Sequence, residues 1–160
     1  MELRIETISE KKFAGISARM SLAEDKTYML WSKLMPQKKN IQNAVDDNLY
    51  SLQVYDQTMA PEDFSPNTSF VKWALVETSG EGDLPDGLEK FTLKGGLYAV
   101  FIHKGLPSDF PKTMQFIFGE WMPQSEYQPD HRPHFEVLGS KYKNNHPDSE
   151  EEVWIPIKPK

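Results

Sequence analysis

The sequence predicts an α+β fold of two related modules, each a small antiparallel sheet with a helix on one face, paired about a pseudo-twofold axis. Three observations predict it. Strand-like alternation dominates the chain, two helical stripes each stop at a proline, and the stretches that hold them repeat the order strand, helix, strand, strand. The first helix ends in Leu34-Met35-Pro36-Gln37 and the second in Trp121-Met122-Pro123-Gln124. Further along, Gln53-Val54-Tyr55 aligns with Glu136-Val137-Leu138, and Trp73 aligns with Trp154. The offset between matched positions shrinks gradually, as loops of unequal length require.

Leu3 to Met20 alternates loosely and predicts a strand pair or one long bent strand, with Glu10-Lys11-Lys12 at its turn. Asp25 is placed to cap the following helix. Its apolar stripe is Leu30, Trp31, Leu34 and Met35, and it ends where Pro36 removes a backbone donor. Gln37 to Asp47 predicts a second short helix. Leu49 to Asp56 alternates as a strand, with Gln53 and Tyr55 facing away from Leu52 and Val54. A polar loop with Pro61 and Pro66 leads to the strand Ser69 to Thr78. There Val71, Trp73, Leu75 and Glu77 look one way, and Phe70, Lys72, Ala74 and Val76 the other.

Residues 79–87 are rich in glycine, proline and acids and read as the linker between halves. No Lys-Ser or Lys-Thr follows these glycines, so they form no phosphate loop. Leu88 to Lys104 predicts strand, Gly95-Gly96 turn or bulge, and strand. Pro107 to Met122 predicts a helix capped by Ser108 or Asp109, with Pro111 in its first turn and the stripe Phe110, Met114, Ile117, Phe118 and Trp121. Arg132 to Gly139 is a strand with His134, Glu136 and Leu138 on one face and Phe135 and Val137 on the other; Glu152 to Lys158 is the last. The expected organisation is one domain over 1–160, with repeat 1 at about 1–78, the linker at 79–87 and repeat 2 at about 88–160.

A chain of 160 residues is long enough to bury a core without staples. Its formal charge of −6 and lack of a Lys/Arg cluster argue against direct nucleic-acid binding. There is no cysteine, hence neither disulfide nor thiolate metal site. The N-terminus alternates charged and apolar residues, unlike a signal peptide, and no uncharged run is long enough to span a membrane. The default expectation is cytoplasmic. His103, His131, His134 and His146 show no metal-ligand spacing, and His131 and His134, in a proline-containing stretch, read as solvated or capping. No serine sits in a nucleophile elbow, and neither metal nor cofactor is expected.

Two modules paired in this way leave a groove where they meet, the usual place for a ligand. An ionised Glu136 facing that groove is costly to desolvate and needs a protein donor or a cationic ligand. The residues expected to line it are Glu136, Glu77, Trp73, Tyr98, Trp121, Tyr127 and Tyr55. Rings that stack, with a carboxylate as counter-charge, suit a flat amphipathic or cationic aromatic molecule.

Several of these stretches resemble a known family. They are Gly95-Gly96-Leu97-Tyr98-Ala99-Val100-Phe101, Trp121-Met122-Pro123 with Ser125 and Tyr127, Arg132-Pro133-His134-Phe135-Glu136-Val137, and Glu152-Val153-Trp154-Ile155-Pro156-Ile157. Together they are similar to the GyrI-like small-molecule-binding domain, also known as the AraC-type effector-binding domain. The first half shares the likeness more thinly, through Phe70 to Glu77. The resemblance implies a duplicated βαββ fold with a ligand cleft between modules, and a cleft carboxylate matched here by Glu136. Family members often carry a helix-turn-helix DNA-binding domain; none is seen in this sequence, so the resemblance is to a stand-alone member. It also implies two other readings. One is a cofactor-independent hydrolase of cyclopropane-bearing genotoxins, with Trp73, Glu77, Trp121 and Glu136 at the matching positions and Glu136 and Glu77 as its catalytic acids. The other is a gyrase-inhibitor-like protein partner. Leu138 departs from the family pattern, where many relatives carry a Tyr.

Overall fold

Alternating apolar and polar side chains build a large antiparallel sheet, and the computed structural model describes residues 2–160. In chain order the elements are β1 (Leu3–Ile8), β2 (Lys11–Met20), α1 (Thr27–Leu34), β3 (Leu49–Tyr55), β4 (Phe70–Thr78), β5 (Glu89–Leu93), β6 (Gly96–Lys104), α2 (Phe110–Phe116), β7 (Tyr127–Pro129), β8 (His134–Leu138) and β9 (Glu150–Pro159). The strands lie in the order β1-β6-β9-β8-β3-β4-β2-β5, with β7 also paired to β9. The α+β class and the large antiparallel sheet are therefore as the sequence predicts.

The order is symmetric about the central β8–β3 pair, and the edge strands are exchanged. β1 runs along β6, with Leu3 opposite Phe101, whereas β5 runs along β2, with Phe91 opposite Phe13. This corrects the expectation of a β1–β2 strand pair. Both edges of β2 are taken, one by β4 and the other by β5, so β1 completes the free edge of β6 instead. The close fit of β2 needs Gly15, where a Cβ would come within 1.9 Å of the Ala74 carbonyl oxygen.

Both helices stand on the same face of the sheet. Leu30 and Leu34 of α1 bury against Ala14, Ala74 and Val76 of β2 and β4. The other stripe, Ile117, Phe118 and Met122, buries against Ala99, Phe101, Val153, Ile155 and Ile157 of β6 and β9. Each such side chain taken from water contributes roughly 1.5–3 kcal/mol. The opposite face carries its own core of Phe13, Tyr50, Leu52, Tyr98, Phe135 and Trp154.

The N-cap position falls on Lys26, not on Asp25 as expected; Asp25, one residue earlier, makes a local turn in which its Oδ1 accepts the Thr27 N–H over 2.9 Å. Met35 is exposed, and there the chain tightens into a 3₁₀ turn, Met35–Asn40, with Pro36 in its first turn, in place of the predicted second helix. The second helix is also less regular than its stripe suggests. α2 is preceded by a 3₁₀ turn and continues through a wide π turn, Ile117–Trp121, into Met122–Gln124. The π turn holds Ile117 and Phe118 buried despite the glycine and proline that follow. With one helix over β2 and β4 and the other over β6 and β9, the central strands β3 and β8 form the floor of a cleft.

Candidate functional site

The pleat decides which side chains face this cleft. On β8 they are His134 and Glu136. Ser51 lies opposite Glu136 and Gln53 opposite His134 on β3, and Lys72 of β4 lies opposite Gln53. Val153 of β9 lies opposite Glu136, so Glu151, two residues earlier, shares the face. Tyr55, two residues after Gln53, completes the set.

Glu136 is held by a protein donor. The Gln53 amide gives it a hydrogen bond of 3.1 Å, and the Ser51 hydroxyl, directly opposite on β3, is a second polar neighbour. Burial still pushes its pKa up, and the charge of Lys72 and these two neighbours offset only part of that. Burial and the neighbouring charge of Glu136 raise the Glu151 carboxyl to about 7, with Lys72 opposing. Burial lowers the Lys72 ammonium, while Glu136, Asp25 and Glu151 pull it back up. Yet Glu136, Lys72 and Glu151 each keep some accessible surface. Deep placement with residual access describes groups at the bottom of a pit, not members of a packed core.

His134 sits beside them and is 3% exposed, which corrects the solvated or capping reading. The Tyr55 ring meets it edge-on with centroids 5.0 Å apart, and Phe118 stacks on it at 6.4 Å. Burial, with Arg132 and His131 nearby, lowers its pKa to about 3, so the imidazole is neutral. Burial and the charge of Glu136 raise the Tyr55 hydroxyl, which therefore remains a donor. Tyr55 also borders a hollow of about 260 Å³ lined by Gln57, Met59, Phe64 and Thr68 from the β3–β4 loop. Met59 packs on the cluster under the second helix, so this loop bridges the cleft at one end. A larger hollow of about 630 Å³, lined by Glu2, Ile102, Lys104 and Thr113, is shallow and shares none of the cleft residues.

The sheet separates the residues expected to line one groove. Glu136 and Tyr55 come together. Trp73, Glu77 and Tyr98 lie on the opposite face, where Trp73 packs on Phe91 and Tyr98 is fully buried with its hydroxyl on the Pro133 carbonyl at 2.9 Å. Glu77 there accepts from Lys11 at 3.2 Å and from the Tyr50 hydroxyl at 3.3 Å. Trp121 and Tyr127 stack on one another at 6.2 Å beside the cluster under the second helix. Sequence reasoning missed Ser51, Gln53, Lys72 and Glu151. One signal was available for Lys72: it interrupts the apolar series Phe70, Ala74, Val76 on its own strand face.

Comparison with known proteins fits this architecture. The chain is 25% identical over 129 residues to the transcriptional regulator BrlR of Pseudomonas aeruginosa; the match takes in 80% of this chain but only 45% of that regulator. Among solved structures it resembles SAV2435 bound to tetraphenylphosphonium, with a TM-score of 0.71 and 15% identity over 99% of this chain and 94% of that one. It also resembles a hydrolase from Listeria innocua, with a TM-score of 0.59 and 11% identity over 98% of this chain and 92% of that one. At such identities the structural likenesses speak to the fold alone. Among the described residues no helix is long and apolar enough to cross a membrane. The family model of the GyrI-like small molecule binding domain matches residues 1–158, nearly the whole chain, and the chain belongs to that family.

Proposed function

We propose that the protein binds amphipathic aromatic small molecules carrying a cationic group in the cleft between its two helices, with Glu136 as the anchor. The observation that carries this reading is a carboxylate deep in the cleft, partly dehydrated yet still reachable, next to the rings of Tyr55, His134 and Phe118. A carboxylate in that position gains from an arriving cation what burial has cost it, and the rings supply flat apolar surface. The tetraphenylphosphonium bound to SAV2435 is an aromatic cation and supports the same ligand class. Sequestration of such compounds, or their sensing as part of a regulatory partnership, is the biological role that follows.

Titration with the cationic dye rhodamine 123, read by fluorescence anisotropy, tests this. Glu136→Gln keeps the shape and removes the charge. It should weaken binding about thirtyfold, the equivalent of ~2 kcal/mol, while the melting temperature stays level. Unchanged affinity would remove the carboxylate from the mechanism.

A second reading rests on Glu151. A carboxyl raised to about 7 lies near the working pH of a general base, and its neighbour Glu136 is also raised. Such a pair suits cofactor-independent hydrolysis of an electrophilic cyclopropane-bearing compound. Turnover of a strained-ring substrate by wild type, Glu136→Ala and Glu151→Gln decides it; equal rates in all three would eliminate the reading.

A further inference from the structure

The cleft contains a cation of its own. Lys72 points from β4 onto the same face as Glu136, flanked by Gln53 of β3 and Ala18 of β2. Among the described residues no group accepts a hydrogen bond from it, and no carboxylate comes within ion-pair distance of its Nζ. Glu136, Glu151 and Asp25 act on it only through their fields. Glu136, in contrast, already has the Gln53 amide as a donor. The cleft thus holds one carboxyl with a protein donor of its own and one lysine whose amine has no protein acceptor among the described residues, both reachable from the same space.

We propose that Lys72 is a specificity-determining residue, which places an amine beside the Glu136 carboxyl, so that the preferred ligands are aromatic zwitterions: cationic ring systems that also carry a carboxylate or a comparable anion. The inference rests on the ligand site proposed above and narrows its ligand class. A cation alone would sit against Glu136 but leave the Lys72 donors unmet and feel their repulsion. A ligand carboxylate satisfies those donors, and its charge favours the protonated ammonium against the burial that opposes it. The other titratable groups on this face do not supply that anion. Tyr55 and His134 are neutral here, and Glu151 is close to half-protonated at neutral pH.

Rhodamine 110 and rhodamine 123 share one ring system and differ in a free carboxylate against its methyl ester, which makes them matched probes. Anisotropy titrations of both dyes against wild type, Lys72→Met and Lys72→Gln test the proposal. Lys72→Met keeps the apolar stem and removes the charge; Lys72→Gln keeps a donor and guards against misfolding of the first variant. Wild type should prefer the free acid about tenfold, and both variants should lose or reverse that preference, mainly by weaker binding of the acid. The same acid-to-ester ratio in wild type and variants, or a tenfold preference of wild type for the ester, would overturn the role of Lys72. If the ester binds wild type and Glu136→Gln abolishes that binding while the ratio ignores Lys72, the site stands and only the zwitterion inference falls. If neither dye binds wild type, both fall together.

Discussion

Gln53 on β3 donates its side-chain amide to Glu136 on β8 over 3.1 Å, across the strand pair at the centre of the sheet. The acid contributed by the second half of the chain is thus oriented by the first. A hydrogen bond to a charged group contributes about 1.5–3 kcal/mol when it is well made. Gln53→Ala should therefore lower the affinity for a cationic dye about tenfold and raise the Glu136 pKa further, since its amide donor is gone. Dye titration at several pH values measures both. An affinity equal to that of wild type would mean that Glu136 needs no such positioning.

Glu151 sets a pH dependence whose sign can be worked out. Its folded pKa of about 7 lies above the ordinary 4.5, so between these values the folded protein holds a proton that the unfolded chain has released. Stability then falls as pH rises through that window. Glu151→Gln removes the loss, and relative to wild type it should gain on the order of 2 kcal/mol from the bottom of the window to the top, after allowance for its partial exposure. Urea unfolding of both proteins at each end of the window checks this. Parallel stability curves would show that the carboxyl is not destabilised by folding.

His134 acts in the opposite sense. Its folded pKa, lowered to about 3 from 6.5, means that the unfolded chain takes up a proton first as pH falls. The stability tied to its neutral form is complete above 6.5 and disappears as pH drops towards 3, up to roughly 5 kcal/mol for a fully buried group. His134→Phe, which fills the same space between Tyr55 and Phe118, should flatten this acid limb of the stability curve. Acid titration followed by circular dichroism reports it, and an unaltered acid midpoint would contradict the assignment.

The residues of this cleft were legible in the sequence only one strand at a time. Alternation along β8 shows that His134, Glu136 and Leu138 share a face, and alternation along β4 separates Lys72 from Trp73 and Glu77. What one strand cannot reveal is register. Only the pairing of Ser51 with Glu136, and of Gln53 with both His134 and Lys72, puts Lys72 into the same cleft and leaves Glu77 outside it. The exchange of β1 and β5 was hidden for the same reason, because edge strands are assigned by which ladders remain open, a property of the assembled sheet. The helices were easier to read, since a stripe ending at a proline is a local signal, although the π turn at Ile117–Trp121 left no mark in the apolar spacing.

Glu77 and Glu136 offer a contrast between an acid paired on one face of the sheet and an acid that faces the cleft. Glu77 lies on the face opposite the cleft and is already answered twice, by the Lys11 ammonium at 3.2 Å and the Tyr50 hydroxyl at 3.3 Å. Its neutralisation weakens an ion pair at the border of a packed aromatic cluster and leaves the cleft as it was. Glu77→Gln should therefore cost about 1 kcal/mol of stability and change cationic dye affinity less than twofold. Glu136→Gln should do the reverse. An amide in place of a partly dehydrated carboxylate relieves a desolvation penalty, so stability holds or rises, whereas the proposed anchor charge is gone. Thermal melts and dye titrations on the two variants in parallel measure the pair of effects. If Glu77→Gln weakened dye binding as strongly as Glu136→Gln, the ligand would have to reach the other face of the sheet, and the cleft between the helices would lose its claim to the site.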